Sequence, residues 1–216
     1  DSIHRLWAQR AIASYDQNEA SFAEVATALH ARFENSSSAI EARLHALDWA
    51  GKTADSLALL EKVAEGPPRN PAFLHTYARA LRSDAREAKR VAALVEASLA
   101  VRPTHPPSLS LEADILWERG EREQALSLYR FASTGAEVSE ENAEIYFRAA
   151  HRLGLGETGL SYLRARFERL RGQSSAPFQT LFWQLQELDR GADAFQELET
   201  ELERAREGDF ACWAAD

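Results

Sequence analysis

The sequence has one cysteine, no methionine and only three lysines beside 22 arginines among its 216 residues. The lone thiol of Cys212 excludes an intramolecular disulfide and an all-cysteine metal site. Because no activating partner stands beside it in the sequence, we interpret Cys212 as a small buried hydrophobe. The excess of arginine over lysine is typical of a GC-rich genome, and we expect a bacterial protein.

Long apolar runs are also missing. No stretch approaches the roughly 20 apolar residues that a membrane-spanning helix requires, so membrane insertion is not expected. Seven prolines and ten glycines are too few for a disordered or fibrous chain. With 45% apolar and 27% charged residues, the composition predicts a soluble globular protein with a substantial core, and a cytoplasmic location fits it.

Positive charge is scarce overall, because the formal net charge is -9. Nucleic-acid affinity rests mainly on lysine and arginine side chains that neutralise phosphates. We therefore expect no DNA or RNA partner.

The two ends of the sequence lack the features of a complete chain. It begins at Asp1 with neither an initiator methionine nor a basic-then-apolar leader. It ends in residues 209–216, which read as the start of a further helix. We expect a piece of a larger protein, with any targeting signal or catalytic domain outside it.

What the sequence does contain is a repeated helical pattern. The clearest unit covers residues 109–132, where apolar residues fall at helical spacing on both sides of a turn at Gly120. The second half of this unit places small, large and small residues in order at Ala125, Tyr129 and Ala132. Two antiparallel helices that approach closely require such an order.

This pattern resembles the tetratricopeptide repeat, in which small residues such as Ala113, Ala125 and Ala132 lie between paired helices. The same frame recurs upstream, where Pro68 and Pro103 each stand at the expected end of a second helix. The resemblance implies an all-α, right-handed α-solenoid of about six helix-turn-helix repeats forming a single superhelical domain. The predicted repeats are residues 1–36, 37–70, 71–105, 106–139, 140–174 and 175–208, strongest over 37–139.

Four residues depart from the family pattern. Arg43 and Glu112 replace a leucine, and Arg166 and Glu201 stand where a small residue is expected. We expect the outer repeats to pack irregularly, or the frame to be offset there by one residue. An unrelated helical bundle with short loops is the alternative fold.

The motifs that could carry chemistry are weak. The stretch 154–159 matches the G-x-G-x-x-G phosphate-binding pattern, but a dinucleotide site needs a strand before it and here a helix precedes it. We therefore interpret Gly154 as a helix terminator and Gly159 as a close-contact residue. The six histidines form no compact ligand cluster, and neither a nucleophile elbow nor a Walker loop occurs. The sequence predicts no catalytic residue, cofactor or metal within this chain.

The resemblance implies that first-helix residues line a concave groove that binds a protein or peptide. Three tryptophans at such positions are candidate anchors, with packing against the neighbouring repeat as the alternative. Four arginines predict a locally basic strip for a partner of acidic and apolar character, with a plain solvated face as the alternative. The predicted groove residues are Trp49, His75, Arg79, Arg82, Trp117, Arg148, His151, Arg152 and Trp183, flanked by Glu41, His45, Asp48, Ser110, Asp114, Glu118, Glu144, Gln179 and Gln186.

Repetition without catalytic motifs favours a protein-interaction scaffold that is not itself an enzyme. The alternative is the regulatory or substrate-recruiting arm of a multidomain enzyme whose catalytic domain lies elsewhere. A third hypothesis is self-association through the terminal repeats, where Phe210 and Trp213 would offer apolar surface.

Overall fold

The chain forms twelve α-helices in the computed structural model, which describes residues 3–66, 69–134 and 140–207, with side chains described as far as residue 204. Within these ranges no residue lies in a strand. A short 3₁₀ turn at Ala85–Glu87 precedes α6. The helices are α1 (Ile3–Tyr15), α2 (Glu19–Arg32), α3 (Ser37–Trp49), α4 (Thr53–Glu65), α5 (Pro71–Leu81), α6 (Ala88–Val101), α7 (Pro106–Glu118), α8 (Arg122–Ala132), α9 (Glu140–Arg152), α10 (Gly156–Leu170), α11 (Ala176–Glu187) and α12 (Gly191–Glu207).

Consecutive helices pair as helix-turn-helix repeats, which confirms the predicted all-α repeat fold. The helices group into two compact units, Asp1–Pro103 with α1 to α6 and Thr104–Asp216 with α7 to α12. In each unit every helix contacts the next one along the chain. The organisation of all the repeats into one superhelical domain stays a prediction.

Most of the helix hairpins turn with the same backbone geometry. A residue with positive φ follows the first helix: Gly51 (65°), Gly120 (86°) and Gly154 (75°). Glycine is favoured there because it has no Cβ to crowd the left-handed conformation. Gln17 (51°) and Asp189 (58°) adopt it in the first and last hairpins. Each turn closes with a backbone hydrogen bond of 2.9 Å, from Asn18 to Ala13, Lys52 to Leu47, Glu121 to Leu116, Leu155 to Ala150 and Arg190 to Leu185.

The hairpin of α5 and α6 has a different turn. Asp84 caps the 3₁₀ segment by accepting a hydrogen bond from the Arg86 backbone N–H at 3.0 Å. The start of α5 carries two helix-start signals, since Asn70 Oδ1 accepts from the Ala72 N–H at 2.9 Å and Pro71 occupies the first turn. Local sequence thus specifies the start of α5 and the turn between α5 and α6. At the far end, α6 stops at Val101, two residues before the predicted terminator Pro103.

The glycine-rich stretch begins in the turn between α9 and α10 and continues into α10, so a helix does precede it. Gly154 adopts the left-handed conformation that ends α9. A Cβ added to Gly159 would lie 2.8 Å from Phe147 Cδ2, so the absence of a side chain lets α10 approach α9 closely. Both sequence interpretations are confirmed, and the geometry is that of a helix hairpin.

The core of the first unit joins successive helices. Two clusters link α1, α2 and α3, one around Phe22 and Ala26 and the other around Leu29 and Val25. A third links α3, α4 and α5, and its buried members are Ile40, Leu44, Leu60, Ala64, Phe73, Leu74 and Tyr77. Burial of such clusters supplies most of the stability of helices this short.

In the second unit the small residues of the repeat pattern lie where the helices approach most closely. Ala113 and Ala125 are fully buried against Tyr129, joining α7 and α8 to α9. The phenol of Tyr129 donates a hydrogen bond to Asp114 Oδ1 at 2.5 Å, which satisfies its one polar atom. A further cluster, containing Phe147 and Leu181, links α9 to α12.

Two charged side chains occupy the positions where small residues were expected. The Arg166 side chain is 1% exposed and forms an ion pair with Glu140 at 2.7 Å. Glu201 is 9% exposed and accepts hydrogen bonds from Arg171 at 3.0 Å and Arg204 at 2.8 Å. Paired charge, rather than a small side chain, fills both sites.

Several predictions fall on residues outside the described ranges. These are the terminator Pro68, the thiol Cys212, the apolar residues Phe210 and Trp213, and the further helix at 209–216. Among the helices that are described, none is long and apolar enough to cross a membrane.

Candidate protein-binding site

A depression of about 740 Å³ lies between α9 and α11, the first helices of two successive repeats in the second unit. These two helices contact each other directly. Exposed surface on first helices is where the repeat resemblance predicts partner binding. The lining residues are Glu140, Glu144, Ala176, Gln179, Thr180, Trp183, Gln184, Gln186 and Glu187.

Trp183 forms one wall of this depression and is 61% exposed. Leu181 and Leu185, each two positions away, lie on roughly the opposite side of α11 and are buried in the core, so the indole points outward. The indole contacts Phe182 in a T-shaped arrangement, with ring centroids 5.4 Å apart. Phe182 in turn contacts the exposed Phe195 at 5.6 Å. The indole is therefore supported from one side and free to contact a partner on the other.

Two carboxylates, one from each helix, form the rim of the depression. Glu144 on α9 and Glu187 on α11 share a single cation, Arg148, whose Nη2 lies 2.5 Å from one carboxylate and 3.3 Å from the other. All three side chains are substantially exposed. Since two carboxylates face one guanidinium, the rim keeps an excess of negative charge.

Glu140 forms the floor. Its Oε2 accepts hydrogen bonds from Arg166 Nη1 at 2.7 Å and from Thr180 Oγ1 at 2.9 Å. Its Oε1 is buried and has no hydrogen-bond partner, and the same holds for Oε1 of Gln184, a residue only 2% exposed. Arg166 in turn keeps Nε and Nη2 without partners. The floor thus combines one ion pair with several buried polar atoms that have no hydrogen-bond partner.

The three predicted tryptophans have different environments. Trp49 is half-buried, with its ring stacked on His45 at 5.4 Å and edge-on to Phe22 at 5.7 Å. Trp117 is also half-buried, tilted against Tyr129 at 6.4 Å. Both rings pack largely against their own unit, whereas Trp183 is the most exposed of the three.

The predicted cations also differ in their surroundings. Arg79 is exposed near the end of α5, His75 is half-buried one turn earlier, and half-buried Arg82 caps the helix. In the second unit Arg148 is engaged by the two rim carboxylates. Of the predicted basic strip, Arg79 on α5 is therefore exposed, whereas Arg148 on α9 is paired with carboxylates.

His151 and Arg152 are exposed at the end of α9. The His151 ring stacks on Phe147 with centroids 6.2 Å apart and covers the start of α10, where Gly156 leaves room for it. The structure therefore brings together Arg148 and Trp183 around one depression and leaves His151 packed at the α9–α10 turn.

Sequence reasoning missed five residues of the depression: Glu140, Ala176, Thr180, Gln184 and Glu187. Glu140 and Glu144 are spaced one helical turn apart, a signal that they share a face. Nothing in the sequence shows that Arg166, from the intervening helix, reaches Glu140. That contact depends on how three helices pack.

The first unit has a smaller cavity of about 420 Å³ between the ends of α2 and α4 and the starts of α3 and α5. Glu34 and Lys62 form an ion pair across it, and this hydrogen bond lowers the pKa of the Glu34 carboxyl. His30 lies beside them with Nδ1 buried and without a hydrogen-bond partner. Burial is the main cause that lowers the pKa of His30.

Within the described ranges, no group of three or more histidine, cysteine, aspartate or glutamate side chains is arranged to hold a metal ion.

No protein-family model matches the chain, and no curated protein matches its sequence. Its fold is similar to several solved structures. A tetratricopeptide repeat protein from Parabacteroides merdae ATCC 43184 is 13% identical, with a TM-score of 0.54 over 93% of this chain and 78% of that one. PilW, a widely conserved type IV pilus biogenesis factor, is 16% identical, with a TM-score of 0.56 over 82% of this chain and 81% of its own. MamA is 12% identical, with a TM-score of 0.52 over 76% and 91%.

At these identities the likeness concerns the fold. It confirms the predicted tetratricopeptide-like repeat.

Proposed function

We propose that this chain is a non-catalytic protein-interaction module whose second unit binds a peptide segment of a partner at the α9–α11 depression. The observation that carries the proposal is Trp183, which is 61% exposed at the wall of a depression of about 740 Å³. A large aromatic ring gains free energy when a partner removes it from water, and tryptophan is enriched among residues that dominate binding.

Three features support this function. The helix-hairpin repeats place successive first helices side by side, which suits an extended or helical peptide. Phe182 holds the indole from behind, so little side-chain freedom is lost when a ligand contacts its other face. The polar groups on the floor and rim of the depression offer hydrogen bonds that fix the orientation of a ligand.

The groove residues predicted in the first unit also stay proposals. Arg79 is exposed on α5, and Trp49 is half-buried on α3. We propose them as additional contacts for the same class of partner, with the acidic character that an exposed guanidinium prefers.

The test is a selection from a random peptide library with the whole chain as bait, followed by affinity measurements on the selected peptides. We expect Trp183→Ala to weaken those peptides by at least about tenfold, the loss typical of a central aromatic contact. Circular dichroism and urea unfolding of the variant establish that the fold is retained.

Phe131→Ala is the matched control. Phe131 is 50% exposed on α8, outside the depression, so its truncation removes a similar exposed ring. Peptides that bind wild type, Trp183→Ala and Phe131→Ala equally would show that the depression is not the binding surface.

A further inference from the structure

We propose that the α9–α11 depression selects a basic side chain, an arginine or lysine of the partner peptide, and holds its cationic group between Trp183 and the rim carboxylates. This inference rests on the proposed function and assigns the chemistry of the ligand. It differs from the acidic partner that the sequence predicts, and it concerns the second unit alone.

The first step is the charge of the depression. Its lining carries three carboxylates, Glu140, Glu144 and Glu187, and no lysine or arginine. Two guanidiniums contact these carboxylates from outside the lining, Arg166 on the floor and Arg148 on the rim. Three negative groups against two positive ones leave one negative charge in excess. An acidic ligand side chain would meet like charge there, whereas a basic one would be attracted.

The second step is an unsatisfied acceptor in the floor. Gln184 is 2% exposed and lines the depression, yet its Oε1 has no hydrogen-bond partner. A buried acceptor without a partner is destabilising, and a ligand that supplies a donor would relieve this. A guanidinium or ammonium group supplies several donors and no acceptor, so it matches this site.

The third step is the open face of Trp183. Within the described part of the second unit, arginine guanidiniums already lie over Trp117 at 5.9 Å, Tyr162 at 5.7 Å and Phe167 at 5.0 Å. Trp183 has no such internal cation and presents its ring to solvent beside the rim carboxylates. A ligand cation placed there gains both a cation–π contact and ion pairing.

The experiment uses small probes and the whole chain. N-acetylarginine amide is titrated against N-acetylglutamine amide, which is neutral, and N-acetylglutamate amide, which is acidic. The reporter is the indole N–H signal of Trp183 in a proton–nitrogen correlation spectrum, assigned by its disappearance in Trp183→Phe. We expect the arginine probe to shift this signal saturably and to bind at least about tenfold more tightly than the glutamine probe.

Variants distinguish binding at the depression from non-specific electrostatic attraction to the protein. The double variant Glu144→Gln with Glu187→Gln is expected to reduce arginine binding to the level of the neutral probe. Glu199→Gln with Glu203→Gln makes the same charge change on the exposed face of α12 and is expected to leave binding unchanged. Gln184→Leu removes the buried acceptor and is expected to weaken the arginine probe by about threefold without loss of stability.

The proposal is overturned if the arginine probe shifts the Trp183 signal no more than the glutamine probe, or if both double variants lose binding equally. Library peptides that require Trp183 but carry no basic residue would also overturn it while leaving the proposed function intact. If no selected peptide requires Trp183 for binding, the proposed function itself is wrong.

Discussion

Arg166 and Glu140 join α10 to α9 through an ion pair of 2.7 Å in which the guanidinium is 1% exposed. Thr180 on α11 donates to the same carboxylate oxygen at 2.9 Å, so one glutamate connects three helices. A buried arginine stands where the repeat pattern expects a small residue. The charge is tolerated because its partner lies within hydrogen-bonding distance.

Removing the carboxylate should expose how much the second unit depends on this pair. Glu140→Gln leaves the buried Arg166 without a counter-charge, and we expect the free energy of unfolding to fall by about 3 kcal/mol. Urea denaturation measures it. Glu197→Gln is the control, since its pair with Arg164 at 2.8 Å is about one-third exposed on both sides and should cost less than about 1 kcal/mol. Equal losses would contradict the structural role of the buried pair.

Gly159 should not accept a methyl group. The added Cβ of Gly159→Ala would lie 2.8 Å from Phe147 Cδ2, and we expect this overpacking to lower stability by about 1–3 kcal/mol, despite the better helix propensity of alanine. Gly191→Ala provides the comparison, because the nearest atom there, 3.2 Å away, is at the end of the flexible Gln186 side chain. We expect that variant to be neutral or slightly more stable. Thermal unfolding of both variants decides the matter.

Alanine substitutions should distinguish a tryptophan that packs against its neighbours from one that lies at the surface. Trp49→Ala removes a half-buried ring that contacts Phe22 and His45, and we expect a loss of about 2 kcal/mol. Trp183→Ala removes a ring that is 61% exposed, and we expect less than about 1 kcal/mol. Urea midpoints at a common slope test this order, and a reversed order would place Trp183 in the core.

Stability should fall as His30 becomes protonated. Burial lowers its pKa in the folded state, so below about pH 6.5 the unfolded chain takes up a proton that the folded chain resists. Stability is therefore lost as the pH falls from the ordinary histidine pKa toward the lowered one, and the loss is complete below both. We expect His30→Gln to show a weaker decline in unfolding free energy between about pH 7.5 and about pH 5.5 than wild type. Parallel pH profiles for the two proteins would contradict this role.

The sequence alone determined the repeat. Each signal of the repeat involves only a few neighbouring positions, so it can be recognised in a short stretch of sequence. These signals are the helical periodicity, small residues such as Ala113 and Ala125, and the turn residues Gly51, Gly120 and Gly154. The same locality let Gly154 and Gly159 be interpreted as parts of a helix hairpin rather than a phosphate loop. Candidate surface residues followed from the repeat frame, and Trp183 and Arg148 were among them.

Only the tertiary structure decided what those surface residues contact. Trp49 and Trp183 follow from the same kind of sequence position, but one ring stacks on His45 and the other faces solvent, because the packing of neighbouring helices differs. The pairing of Arg166 with Glu140 joins residues 26 positions apart on separate helices. Ion pairs and buried acceptors depend on distances of a few ångströms between helices, and no local pattern encodes those distances.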